Sequence, residues 1–326
     1  MAYPGLFTRL LLVLTLAGSA ACKKDTAKNT PDGLTAVTLL TDWYPQPEHG
    51  GFYNALVKGY YKEAGLDVTI LPGGPNVFGI QRVAVGNADF GMSTGDDIMV
   101  ANERKLPLIA VGPTMQHDPQ GVMVHPETGI TDFPQLEGKN IAMIPGSLWF
   151  LYLTKKYGWK NVTTSPATFN VANFLSDPHY IQQVFVTSEP FFVQKTGQTL
   201  RVLLLRDAGF DPYRVFFTRR DFLEKKPEVV RAFVGASLRG WKDYMADPTA
   251  ANEEIHKRNP EMDTEKMTYS WKALQDGKFI DGRAPGQFGK FDPARWRKQY
   301  ENLRSIGVLT EDADPARSYT MEFLPK

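Results

Sequence analysis

Residues Val37–Ile70 read VTLLTDWYPQPEHGGFYNALVKGYYKEAGLDVTI, and their pattern decides the fold. Val37–Thr41 is a short apolar run of the kind a buried strand uses. A loop follows that holds Asp42, Trp43, Tyr44 and His49. Beyond it Phe52, Leu56 and Tyr60 recur at i+4 spacing, and Val57 and Ala64 widen the stripe, which predicts one amphipathic helix. Gly65 stands where a left-handed helix cap belongs, and Leu66–Leu71 is a second strand. Such a unit places its loop at the carboxyl end of a parallel sheet, where open α/β folds hold ligands. The loop offers π-faces and hydrogen-bonding groups, which suits a flat, polar heterocycle.

The rhythm continues outward. Strands are expected at Ala88–Ser93 and Leu108–Thr114, with helices at Val77–Val85 and from Asp96 to about Lys105. Strands alternating with helices imply an α/β fold with a parallel, doubly wound sheet. Gln116–Gln120 breaks the alternation and is a candidate crossing between domains. A second set follows: strands at Gly121–His125, Asn140–Ile144, Ala167–Val171, Val184–Thr187 and Val202–Leu205, and helices opening at Gly146-Ser147 and over Asp177–Gln183. Arg214–Thr218 is a strand expected to return to the first domain. Helices then fill the remainder, with Pro227 suited to a first helical position.

Composition narrows the function. The chain has 326 residues, 22% of them charged, with a net charge of +1 and no basic face, so nucleic acid is not an expected partner. The amino terminus and Arg9 precede a short apolar run, Leu10–Leu16, and a small-residue stretch, Ala17–Ala21, which together form an export signal too short to span a membrane. Cleavage after Ala21 exposes Cys22, the only cysteine, and takes the net charge to zero. The arrangement resembles a bacterial lipoprotein signal, although Ser19 stands where Leu is usual. A plain secretory signal cut at the same bond is the alternative. Residues 22–36 read as a polar tether. His125, His179 and His256 show no metal-ligand spacing, so no metal is expected.

Candidate site residues cluster at strand ends. Trp43 or Tyr44 would stack on a ligand ring, against a packing role for both. Asp42 would accept a hydrogen bond from a ligand amino group or cap the turn. Thr94 and Asp96 open a helix, where a ligand contact and an N-cap are both open readings. Gln116 and His117 lie at the crossing between domains, again with both roles open. Ser147 opens a second-domain helix whose amides suit a ligand oxygen. Trp149 either closes over the ligand or belongs to the core. Asn170, at an expected strand end, suits a pyrimidine edge.

Four segments carry a family resemblance: TDWYPQPEHGGFYNALVKGYYKEAGLDV, VAVGNADFGMSTGDDIMVA, LIAVGPTMQHDPQGVMV and VFVTSEPFFVQKTG. The chain resembles the periplasmic solute-binding proteins of ABC importers, in the family of the thiamine-pyrimidine-precursor binders and the fungal pyrimidine synthases. Sulfonate, taurine and nitrate binders are more distant relatives. The resemblance implies a type II two-lobed fold, each lobe a mostly parallel sheet flanked by helices, with hinge strands and the ligand between the lobes. Residues 37–115 and 214–326 would form lobe 1, and residues 116–213 lobe 2. His49 matches the family histidine, and Glu189 resembles the family carboxylate facing the ligand. The implied protein is a monomeric binding protein, without a cofactor, that delivers its cargo to permease subunits and is held to the membrane by lipid on Cys22. The implied cargo is a thiamine pyrimidine precursor, with a flavin second and a sulfonate, taurine or nitrate third. An enzyme like the fungal synthase is the rival reading. That synthase carries a cysteine-rich motif, and here Cys22 stands alone.

Overall fold

The structure is a computed structural model that describes residues 32–310 and 313–325. The expected signal segment, Cys22 and most of the expected tether lie outside the described residues. The chain builds two mixed five-stranded sheets. The first uses β1 (Thr35–Leu40), β2 (Leu66–Leu71), β3 (Phe90–Thr94), β4 (Leu108–Met115) and β10 (Arg214–Arg219), in the order β2-β1-β3-β10-β4. β1 pairs in parallel with β2 and β3, and β10 runs antiparallel to β3 and β4. The second uses β5 (Gln120–Val124), β6 (Asn140–Met143), β7 (Thr163–Pro166), β8 (Gln182–Phe185) and β9 (Arg201–Leu204), in the order β7-β6-β8-β5-β9. There β5 alone is antiparallel to its neighbours. In each lobe, then, four strands share one direction and a fifth, adjoining the crossing segments, opposes them.

Each sheet buries its own core. Val37, Leu39, Phe90 and Phe216 join apolar residues of the C-terminal helices around the first sheet. In the second, period 2 is visible along β5: Val122 and Val124 enter one cluster with Trp149 and Leu153, while Met123 enters another with Phe174 and Val193. A sheet covered on both faces explains the nearly continuous apolar runs of its strands.

The helix expected after the first loop is two pieces, Gly50–Val57 and Tyr60–Glu63, because Gly59 between them takes φ +77. Val57, placed in the apolar stripe, is exposed, whereas Phe52 and Tyr53 are fully buried. Gly65 takes φ +78, as its cap position requires. The tether ends earlier than expected, since β1 already begins at Thr35.

Two second-lobe expectations are corrected. The strand placed at Ala167–Val171 lies at Thr163–Pro166, and the following turn carries Phe169 at φ +57. The helix placed at Asp177–Gln183 is instead Ala172–Ser176. Asp177 precedes Pro178, and a residue before proline is driven out of the α region, so the helix stops there.

Gly50 and Gly51 permit a close approach of elements. A Cβ at Gly50 would overlap the ring of Tyr244, and one at Gly51 the indole of Trp241. Both rings stand on the long helix Pro227–Ala246, where Gly240 in turn admits the backbone of Gly51. Asn54 fixes the crossing by donating to the Gly240 carbonyl at 3.1 Å. Gly51→Ala should therefore destabilise the protein by about 1–3 kcal/mol in urea unfolding, the range for overpacking a closed core. An unchanged midpoint would contradict this packing.

Candidate functional site

A cavity of about 530 Å³ lies between the two sheets, within the roughly 300–1,000 Å³ usual for small-molecule sites. Its first-lobe wall comes from the loop after β1, the end of β3 and the start of β10. Its second-lobe wall comes from the turn after β6, the turn after β7, and the β8 strand with the turn that follows. The crossing segments close the floor with Asp118, Pro212 and Arg214.

Arg214 organises this floor. It opens β10, is 9% exposed, and donates from Nη2 to Asp42 Oδ2 at 2.6 Å. Its Nη1 lies 3.6 Å from Asp118 Oδ2, and its guanidinium sits 5.1 Å from the Phe185 ring centroid, so it also touches the second lobe. His49 Nε2 donates to the other oxygen of Asp42 at 2.8 Å. Burial alone would raise Asp42, but Arg214 and His49 outweigh it and hold the carboxyl well below its ordinary range. Asp118 is more deeply buried. Desolvation, only partly offset by Arg214, pushes it up to about 6. The sequence reading passed over Arg214 and Asp118. Their pairing spans three separate chain segments, and the one available signal was a lone arginine at the start of the returning strand.

The crossing segments are also tied directly. The Asp211 carboxylate accepts from His117 Nδ1 at 2.6 Å, from the Asp118 amide at 3.0 Å and from Arg295 Nη2 at 3.2 Å. His117 therefore braces the crossing rather than lining the cavity. Gln116 is engaged in the first lobe, its side chain donating to the Lys290 carbonyl at 3.0 Å.

Of the residues proposed from sequence, the structure brings Asp42, Trp43, Thr94, Asp96, Ser147, Trp149 and Glu189 to the cavity wall. Tyr44, 50% exposed, stands outside and packs edge-on against Trp43, with ring centroids 5.7 Å apart. His49 is fully buried behind Asp42 and orients it. Asn170 is not at a strand end. Its side chain accepts from the Ala172 amide at 3.0 Å and so starts the next helix. Thr94, not Asp96, is the N-cap of Gly95–Glu103, accepting from the Asp97 amide. Trp149 belongs largely to the second-lobe core. Glu189 opens the helix Glu189–Lys195, one turn beyond β8, and accepts from the Phe185 amide at 2.9 Å. Burial raises its pKa, and Phe185 and Lys266 only partly offset that.

The sequence reading also missed Phe169. It is 51% exposed, lines the cavity from the second lobe, and faces Trp43 of the first with centroids 5.2 Å apart. Gln120, Gln182 and Gln183 add carboxamides to the wall. Beside the cavity, first-lobe side chains grip the turn after β8. Lys266 donates to the Thr187 and Ser188 carbonyls at 2.9 and 3.1 Å, Ser270 donates to the Thr187 carbonyl at 2.6 Å, and the Thr187 hydroxyl donates to Glu48. Burial brings Lys266 down to about 8 despite its acidic neighbours Glu48 and Glu189. His125 is structural, its Nε2 donating to the Phe174 carbonyl at 2.8 Å. Among the described residues no group of three His, Cys, Asp or Glu side chains could hold a metal, and no helix is long and apolar enough to cross a membrane.

Two mixed sheets, two crossing segments and an interlobe cavity make this the two-lobed fold of the periplasmic binding proteins of ABC importers. The periplasmic aliphatic sulphonate binding protein SsuA of Escherichia coli superposes with a TM-score of 0.62 over 86% of this chain and 91% of that one, at 15% identity. The chain belongs to the NMT1/THI5 like family, whose model matches residues 46–251. It is 26% identical to the riboflavin-binding protein RibY of Chloroflexus aurantiacus over 92% of this chain and 89% of that protein. It is 29% identical to the 4-amino-5-hydroxymethyl-2-methylpyrimidine phosphate synthase THI11 of Saccharomyces cerevisiae, over 70% and 73% of the two chains.

The buried acids set a pH dependence. Burial, reinforced by Asp97, pushes Asp96 up to about 7, against 3.8 for a free side chain. Between these values the native protein keeps a proton that the unfolded chain has released, so stability falls as pH rises from about 4 to about 7 and then levels. Asp118 acts with the same sign up to about 6. Asp42 acts oppositely, but only as pH falls below the unfolded value of 3.8. Asp96→Asn should flatten the slope and gain at least about 1 kcal/mol relative to the parent between pH 5 and pH 8 in urea unfolding. Parallel curves for parent and variant would contradict the assignment.

Proposed function

We propose that this protein is an exported substrate-binding protein of an ABC importer that closes on a small aromatic heterocycle and presents it to a permease. One observation carries the reading: Trp43 and Phe169 meet from opposite lobes at the cavity wall, their ring centroids 5.2 Å apart and tilted by 44°, beside a lining of carboxylates and carboxamides. At that spacing the rings touch and leave no room for a third between them, so a flat ligand would stack on the cavity side of one ring or part the pair, and binding to both lobes is what favours a closed state. A small anion would find few partners here, since the one Lys or Arg on the wall among the described residues, Arg214, is already held by Asp42 and Asp118.

The cargo we favour is a thiamine pyrimidine precursor, whose amino and ring nitrogens match carboxylate and carboxamide partners. The family membership and the likeness to the pyrimidine synthases support it. Riboflavin is the second reading. The likeness to RibY over nearly the whole chain and the size of the cavity both favour it. The chemistry we read here is binding: on the cavity floor Arg214 neutralises Asp42 and lies beside Asp118. The lipid anchor at Cys22 and the lobe bounds proposed from sequence complete this reading.

Thermal unfolding tests it. The mature protein should gain stability with 4-amino-5-hydroxymethyl-2-methylpyrimidine or riboflavin and not with taurine or nitrate. Trp43→Ala and Phe169→Ala should each weaken that ligand by roughly fivefold, about 1 kcal/mol of ring contact. Stabilisation by taurine or nitrate alone would overturn the heterocycle reading.

A further inference from the structure

The cavity wall is one-sided in charge. Asp42, Glu48, Asp96, Asp97, Asp118 and Glu189 face a single guanidinium, Arg214. Five of the six acids have partners within the protein. Asp42 holds His49 and Arg214, and Asp118 accepts from the Gln120 amide at 2.9 Å and lies beside Arg214. Asp97 accepts from the Ser93 hydroxyl at 2.8 Å, Glu48 from Thr187, and Glu189 from the Phe185 amide.

Asp96 differs from the other five. It is 4% exposed and its Oδ1 has no hydrogen-bond partner. The charges acting on it most strongly are Asp97 and Asp118, both of its own sign, and the Thr94 hydroxyl and its own backbone amide offset them in part. Its place in the first turn of Gly95–Glu103 favours an anion, yet burial still holds its pKa near 7. A buried carboxyl surrounded by acids is unfavourable until something brings it a donor. The fold leaves it at the wall of a ligand cavity.

We propose that Asp96 is a specificity-determining subsite that receives the N–H-bearing edge of a basic nitrogen heterocycle, protonated or amino-substituted, and rejects ligands that would present carbonyl or phosphate oxygen there. The inference rests on the heterocycle reading of the cleft and deepens it. An amino group or ring N–H⁺ brought against the Asp96 carboxyl gives it a charge-assisted bond and relieves the repulsion from Asp97 and Asp118. Above about pH 7, where Asp96 is ionised, an oxo group at the same position would set lone pair against lone pair. A site built to bond a donor discriminates strongly against an analogue that lacks it.

Calorimetry at about pH 8, where Asp96 is ionised, of the mature protein and of Asp96→Asn with three probes decides the matter: 4-amino-5-hydroxymethyl-2-methylpyrimidine, its 4-oxo analogue, and riboflavin. The parent should bind the amino probe at least about tenfold more tightly than the oxo analogue. Asp96→Asn should lose about tenfold for the amino probe and less than about twofold for the oxo analogue. Equal affinity of the parent for the two pyrimidines, or an unchanged amino affinity in Asp96→Asn, would overturn the Asp96 assignment while the heterocycle reading stands. Binding of riboflavin alone would do the same. If none of the three binds the parent, both readings fall. The parent's selectivity between the pyrimidines needs no variant, so it decides the question even if Asp96→Asn does not fold.

Discussion

The buried guanidinium of Arg214 is the constraint around which the cleft is arranged. It bonds Asp42 after β1, lies beside Asp118 in the first crossing segment, and itself follows the second crossing segment at the head of β10. Breaking a buried pair from one side costs about 3–5 kcal/mol, because the abandoned charge stays desolvated. Asp42 and Asp118 are both in that position. The cation therefore fixes the two lobes at their junction and, in the same stroke, removes the one positive charge that an anionic ligand could have used. His49 completes the arrangement by holding the other Asp42 oxygen from a fully buried position.

A second tie lies beside the cavity, between the first-lobe helix Thr264–Asp276 and the second-lobe turn after β8. Lys266 and Ser270 saturate the backbone carbonyls of Thr187 and Ser188, and Glu48 takes the Thr187 hydroxyl. Glu189, the next residue, lines the cleft. Ligand-facing and lobe-joining groups are thus neighbours in the chain. Hydrogen bonding at Glu189 and closure of the lobes draw on the same few residues, which is the economy a two-lobed clamp requires.

How much of this could be read from sequence follows from the range of each signal. Short-range signals read well: Gly65 as a left-handed cap, Pro227 at the head of its helix, Leu66–Leu71 as a strand, and the cleft position of the loop after β1. Long-range pairings did not. Arg214 is 172 residues from Asp42, and no local pattern announces their bond. Gly50 and Gly51 admit a close approach by the helix carrying Trp241 and Tyr244, a packing that no local pattern announces. His49, matched to the family histidine, and His117, open to either role, both orient carboxylates. Asn170 and Phe169 were misplaced for one reason. The second-lobe strand ends at Pro166, so the residues expected inside it form a turn that projects Phe169 into the cleft.

The structural balance is a clamp whose floor is held by Arg214 and whose wall residues keep unpartnered polar atoms, Asp96 Oδ1 together with Gln182 Oε1 and Trp149 Nε1. A crystal structure of the mature protein with 4-amino-5-hydroxymethyl-2-methylpyrimidine tests that account most directly. It should show the ring stacked on Trp43 or Phe169, its amino edge toward Asp96, and the Arg214 bond to Asp42 intact. A ring bound elsewhere, or an Arg214 released from Asp42 to meet the ligand, would contradict it.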